Sequence, residues 1–286
     1  MSETRPVPAE WRDWIAHNLG RGCDPQMLVG DMVRSGFDAE TARNAVFAGA
    51  QGNPQASPAA NGTYVYETSH LAASSVIPLP DRDVRVTLRI ERPAIAFVDG
   101  LLSAEECDEF VRLSAGQLVR STTVDRASGE GKIIEARSSE GTYFPLNANP
   151  FIARLDRRIA ALMNRPIENG EGLQILHYRT GGEYTPHFDY FPPSDPGSRV
   201  HLANGGQRVA TLIIYLNDVD DGGATVFPEL KLTVGPKKGA AVYFEYCNRH
   251  GQVDPLTLHG GLPVLRGEKW IATKWMRQRR YVAAAS

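Results

Sequence analysis

The sequence predicts a mainly β protein with flanking helices, an α+β chain in which a jelly-roll core follows a small N-terminal helical bundle. Three observations carry this prediction. Apolar residues alternate as in strands from about residue 83, the last third runs strand after strand through short turns, and residues 8–49 instead place apolar residues at helical intervals. Strands joined by short turns pair antiparallel, and a jelly roll closes many of them compactly.

In chain order, Trp11, Trp14 and Ile15, then Met27, Leu28, Met32 and Val33, then Ala42, Ala45 and Val46 mark three short helices, giving a small helical domain over 1–50. The following "AGAQGNPQASPAANGT" has no periodic apolar face and reads as part of a linker over 51–80, leaving 81–286 for the main domain. There, "VRVTLRIE" and "AIAFVDGLL" are strands. "SAEECDEFVRLSAG" is a helix with Ser103 as N-cap, glutamates in its first turn and Gly116 as its stop. A second helix over 149–163 begins with Pro150 and carries the stripe Phe151, Ile152, Leu155, Ile159 and Leu162. The Ser-, Thr- and Gly-rich segment between the helices suggests a mobile hairpin or loop over 119–137. "LQILHYR", "RVATLIIYLND", "AAVYFEY" and "KWIATKWMRQ" supply the remaining strands, with no helix expected among them.

A net charge of −2 and a pI near 6.4 provide no basic field for nucleic acid or anionic lipid. The N-terminus lacks a secretory pattern and no segment approaches the roughly 18 uninterrupted apolar residues of a membrane span, so a cytoplasmic protein is expected. Cys23, Cys107 and Cys247 are odd in number and lack CxxC spacing, which argues against a disulfide framework or a thiolate metal site. "NGT" at Asn61 matches a glycosylation acceptor by chance in such a chain.

The chemistry concentrates in "HYRTGGEYTPHFDYF". At a strand end, His187 and Asp189 project from one face because the side-chain period is two, and can share a metal ion. His259 in "LTLHGG" offers a third ligand, its two glycines letting backbone pass close to a bound group. Two histidines and a carboxylate suit Fe(II) oxygenases with three open positions, and zinc hydrolases use similar ligands. Lys269 in "EKWIATKWM" shares a strand face with Ile271, Thr273 and Trp275. With that face inward, the buried lysine needs an anion, which the distal carboxylate of 2-oxoglutarate would provide; with the opposite face inward, Trp270 and Met276 are buried and Lys269 meets water.

"LQILHYRTGGEYTPHFDYF", "GGQRVATLIIYLNDVDDGGATVFPE" and "LHGGLPVLRGEKWIATKW", with "FVDGLLSAEECDEF" and "ARSSEGTYF", resemble the catalytic domain of the prolyl 4-hydroxylases over roughly residues 93–278. The resemblance implies a double-stranded β-helix (jelly roll), Fe(II), 2-oxoglutarate as cosubstrate and O2, with ascorbate as a candidate reductant. It implies His187, Asp189 and His259 as iron ligands and Lys269 as the partner of the 2-oxoglutarate C5 carboxylate. Tyr178 and Thr225 match positions that hydrogen-bond the cosubstrate, while Tyr184, Arg208 and Trp275 match a peptide groove suited to a proline ring. The expected reaction hydroxylates an unactivated C–H bond, with a proline-containing peptide or protein as partner. Collagen itself is not expected, because the separate peptide-binding domain of the animal collagen enzymes has no counterpart in this sequence.

Three rivals share these residues. A small-molecule oxygenase would act on a free amino acid; a zinc hydrolase would need an acid/base carboxylate, for which Glu183 and Glu268 are the candidates; a binding domain would have lost its activity. The segments "PPSDPGSRVHLANGGQR" and 119–137 are expected to border the substrate.

Overall fold

Why each apolar pattern closes as it does is visible in a computed structural model of the chain, which describes residues 7–20, 25–51, 64–124, 128–132 and 137–283. The chain forms two units, Met1–Thr63 and Tyr64–Ser286. Cys23, Asn61 and the linker stretch 52–63 lie outside the described residues.

The first unit contains three helices, Ala9–Gly20, Pro25–Arg34 and Ala39–Gln51. Asp38 caps the third, its carboxylate accepting the backbone N–H of Glu40 and Thr41. Ile15, Leu28, Met32, Ala42 and Val46 form their shared core, with Trp11 edge-on to both Trp14 and Phe37. Met27 and Val33, read from sequence as part of the apolar stripe, point outward at 48% and 41% exposure. A short helix buries one stripe only, and Leu28 and Met32, four apart, occupy it.

In the second unit the linker reading fails for residues 64–80. Val76–Pro78 pairs antiparallel with Asp83–Glu91, while Ser69 and His70 bond the Glu245 carboxylate. Side-chain hydrogen bonds anchor this segment, so it needs no periodic apolar face for composition to reveal.

Two sheets face each other across the site. The larger has nine strands in the spatial order Val76–Pro78, Asp83–Glu91, Ala94–Asp99, Ala241–Glu245, Arg208–Tyr215, Lys269–Arg277, Leu173–Tyr178, Glu140–Phe144 and Val119–Arg120. The smaller runs Leu232–Val234, Thr225–Phe227, His259–Gly261 and Tyr184–His187. All these pairings are antiparallel, and from Leu173–Tyr178 onward the chain crosses repeatedly between the two sheets, as in a jelly roll. The 119–137 segment includes a short pairing of Thr123 with Lys132 and Val124 with Gly131. A six-residue helix, Ser198–Ala203, interrupts the strands where none was expected; its sequence SRVHLA shows too few turns for a helical period to register. Among the described residues no helix is long and apolar enough to cross a membrane.

Two helices cover the outer face of the large sheet. Ala104–Ser114 begins at the expected N-cap, Ser103, which forms a capping box with Glu106. Pro150–Leu162 is capped by Asn149 and buries Ile152, Leu155, Ile159 and Leu162. Because a helix lies on one side and the site on the other, the strand Lys269–Arg277 is buried on both faces. Lys269 and Trp270, read from sequence as alternatives, are therefore 4% and 5% exposed together. On the helix side Lys274 donates to Asp156 at 2.8 Å, both side chains being inaccessible to solvent.

Removing one member of a buried pair strands the other charge. Asp156→Ala or Lys274→Met alone should each cost about 3–5 kcal/mol in urea unfolding, and the double replacement Asp156→Leu with Lys274→Met far less, because it removes both charges together.

Candidate active site

Sequence places His187 and Asp189 two residues apart; the fold adds His259 by pairing. His187 ends its strand and His259 opens the neighbouring one, their Cα atoms standing opposite each other. The ligand-capable atoms of His187, Asp189 and His259 all lie within 4.8 Å of one another. His187 Nε2 is 3.7 Å from Asp189 Oδ1, and His259 Nε2 is 3.5 Å from Asp189 Oδ2.

The tautomers are set by backbone. Nδ1 of His187 faces the Thr185 carbonyl at 2.9 Å and Nδ1 of His259 the Thr257 carbonyl at 3.0 Å, so each Nδ1–H donates and each Nε2 keeps its lone pair toward Asp189. Burial and the neighbouring His259 push the His187 pKa down to about 3, holding the ring neutral as a ligand must be. Burial alone would raise Asp189, yet the two histidines, Arg208 and the Thr211 hydroxyl bring it to about 2, so it is ionised. This N/N/O set fits a divalent ion such as Fe(II).

Gly260 serves a different purpose from the one read from sequence. A Cβ there would meet the Tyr184 carbonyl at 2.9 Å and Pro186 N at 3.0 Å, so the glycine permits close approach of a neighbouring strand rather than of a ligand. Gly261 does open toward the site, where its added Cβ would lie 3.6 Å from Lys269 Nζ.

All nine residues singled out in the sequence line one cavity of about 520 Å³. At its inner end Lys269 lies in register beside Tyr178, its ammonium 5.7 Å from the Tyr178 ring and 5.9 Å from that of Tyr215. Burial lowers its pKa to about 8, and among the described residues no carboxylate pairs with it. Thr225 accepts a hydrogen bond from the Tyr215 hydroxyl at 2.8 Å. Tyr178 is buried near Ser139 and Arg137.

Toward the mouth the cavity becomes aromatic. Tyr184 stacks on His187 with ring centres 3.6 Å apart, and Trp275 lies 3.9 Å beneath the Arg208 guanidinium. Arg208 is also bound by both oxygens of Glu171, which Arg277 contacts as well. Strict alternation would not place Arg208 and Ile213 on one face; a register irregularity between Arg208 and Ala210 does so. Thr122, Gly131 and Arg137 from the 119–137 segment and Pro192, Asp195 and Ser198 from "PPSDPGSRVHLANGGQR" reach the cavity wall.

Sequence reasoning missed several neighbours. Arg137 is 6% exposed, donates to the Thr122 carbonyl and Gln174, and lies 4.9 Å over the Tyr184 ring. Thr211 donates to Asp189, and Glu171 neutralises two arginines. Of these, only Thr211 left a signal, a threonine within the apolar stretch "VATLII". Glu183 and Glu268, the acid/base candidates of the hydrolase reading, are absent from the cavity lining, and Glu268 instead holds His177 at 2.8 Å.

Known proteins agree with this architecture. Residues 173–277 match the 2OG-Fe(II) oxygenase superfamily model. Prolyl 4-hydroxylase 5 of Arabidopsis thaliana is 37% identical over 208 residues, 66% of this chain and 70% of that protein. Probable prolyl 4-hydroxylase 3 of the same plant is 40% identical over 206 residues, 65% and 70% of the two chains. Among solved structures, a viral collagen prolyl hydroxylase from Paramecium Bursaria Chlorella virus-1, in its 2OG complex, aligns with a TM-score of 0.51 and 29% identity, covering 64% of this chain and 95% of that one. With its two-stranded histidine pairing, its nearby carboxylate and this extent of identity, the chain belongs to the prolyl 4-hydroxylase family of 2OG-Fe(II) oxygenases.

Proposed function

We propose that this protein is an Fe(II)- and 2-oxoglutarate-dependent dioxygenase that hydroxylates a prolyl residue in a peptide or protein, forming succinate and CO2. The observation that carries the reading is one cavity with the His187, Asp189 and His259 cluster along its wall and the buried, carboxylate-free Lys269 at its inner end. A dicarboxylate chelated at the metal and reaching Lys269 would satisfy both.

His187, Asp189 and His259 would hold the ion. Fe(II) bound there supplies the redox chemistry with O2 that decarboxylates the cosubstrate and oxidises an unactivated C–H bond. Lys269 neutralises the distal carboxylate, with Tyr178 and Thr225 beside it to orient that end. Tyr184 and Trp275 offer the flat apolar surfaces on which a pyrrolidine ring packs, and their bulk excludes water from the reacting carbon. Arg208 is positioned by Glu171, so its remaining N–H groups can meet a peptide carbonyl without an unpaired charge facing the substrate. A peptide is favoured over a free amino acid because the names of the curated relatives specify prolyl hydroxylation and the wall beyond the cluster is long and aromatic. Ascorbate is part of the same proposal, as the external reductant.

Purified protein with Fe(II), 2-oxoglutarate, ascorbate and proline-containing peptides should release succinate in step with the gain of one oxygen atom on the peptide. Alanine at His187 or Asp189 should abolish both signals; turnover retained in such a variant would refute the ligand assignment. Free amino acids assayed alongside distinguish the small-molecule alternative.

Lys269→Ala should raise the half-saturating 2-oxoglutarate concentration roughly 10- to 100-fold, the value of a hydrogen bond to a charged group. In the free enzyme Lys269 loses its proton as pH rises through about 8, so cosubstrate binding should weaken between neutral and alkaline pH. Lys269→Arg, which stays charged, should show a flatter pH profile of that same constant.

A further inference from the structure

The strand Arg208–Tyr215 is apolar and buried, yet Thr211 sits in it with no exposed surface. A hydroxyl there needs partners, and it has two: Asp189 Oδ2 at 2.7 Å and the Tyr246 hydroxyl at 2.9 Å. A carboxylate acting as a ligand is ionised and only accepts, so the single Thr211 proton goes to Asp189. Tyr246, itself fully buried, must then donate to Thr211 Oγ1. The three groups form a directed chain from Tyr246 through Thr211 to Asp189.

This chain treats the two carboxylate oxygens differently. Each oxygen faces one histidine, Oδ1 the His187 Nε2 at 3.7 Å and Oδ2 the His259 Nε2 at 3.5 Å, but only Oδ2 accepts from Thr211, and Oδ1 receives no hydrogen bond among the described residues. Resting on the Fe(II) and 2-oxoglutarate reading above, we propose that Thr211, held by Tyr246, restricts Asp189 to a one-oxygen metal ligand, with Oδ1 for the ion and Oδ2 reserved for the hydroxyl. Two histidines and one oxygen leave three positions on an octahedral ion, two for the chelating cosubstrate and one for O2. A carboxylate free to bind through both oxygens would occupy one of them. Neither Thr211 nor Tyr246 lines the cavity, so both are positioning residues that act through Asp189.

The test is an anaerobic titration of Fe(II)-loaded protein with 2-oxoglutarate, following the visible charge-transfer band of the chelate, beside a separate measurement of Fe(II) affinity. Thr211→Val, nearly isosteric but without the donor, should need about tenfold more 2-oxoglutarate for half the band while Fe(II) affinity changes by less than about threefold. Thr211→Ser should titrate as wild type, and Tyr246→Phe should shift in the same direction as valine but less. A wild-type titration in folded Thr211→Val overturns the proposal. So does a variant that binds Fe(II) weakly but, once loaded, takes up 2-oxoglutarate normally, because that is a loss of structure at the ligands only. If Thr211→Val does not fold, a wild-type titration in Tyr246→Phe overturns it. An iron-loaded wild type with no band removes the cosubstrate reading itself, an outcome that the variants cannot mimic.

Discussion

The site depends on register between two short strands. His259 faces His187 across an antiparallel pair, and a slip of one residue would turn every side chain of the strand to the other face. Gly260 helps to hold that register, because any side chain at its position would collide with the backbone of Tyr184 and Pro186. The Nδ1 hydrogen bonds to Thr185 and Thr257 fix ring orientation, so strand geometry is transmitted directly to the ligand atoms.

Charge is distributed across the central strand by the same alternation. Lys269 and Lys274 are both buried, but they point to opposite faces. Lys274 meets Asp156 from the covering helix and is satisfied within the protein. Lys269 meets aromatic rings and glycine, and no carboxylate among the described residues pairs with its buried ammonium. Near the mouth the opposite solution operates: Glu171 is placed between Arg208 and Arg277, so those guanidinium groups shape the wall without imposing two uncompensated charges. Under the proposed function, with a dianion at the Lys269 end and a neutral ring further out, this separation of charge suits both ligands.

Much of the fold was legible because its signals are local. Period-two apolarity located the long strands, and Ser103 as N-cap and Pro150 in the first turn marked helix starts by chemistry that their own sequences contain. The segment 64–80 and the helix Ser198–Ala203 escaped because both are held by partners distant in sequence, Glu245 for the first and the wall around Phe191, Arg277 and Gly129 for the second. The metal cluster and Lys269 were legible as types in a spacing, and the family resemblance supplied Tyr178, Thr225, Tyr184, Arg208 and Trp275. Arg137, Glu171 and Thr211 were not, since an arginine, a glutamate and a threonine look ordinary in sequence until something identifies what they face.

The sequence by itself determined where the long strands form, which histidines and aspartate can serve as ligands, and that Lys269 shares a face with Trp275, because strand periodicity and side-chain chemistry act over a few residues. Tertiary structure alone decided that both faces of the Lys269–Arg277 strand are buried, that Lys274 is paired while Lys269 is not, and that Asp189 answers to Thr211 and Tyr246. Those outcomes depend on which helix or sheet packs against a given face, and that choice is made by elements far away in the chain.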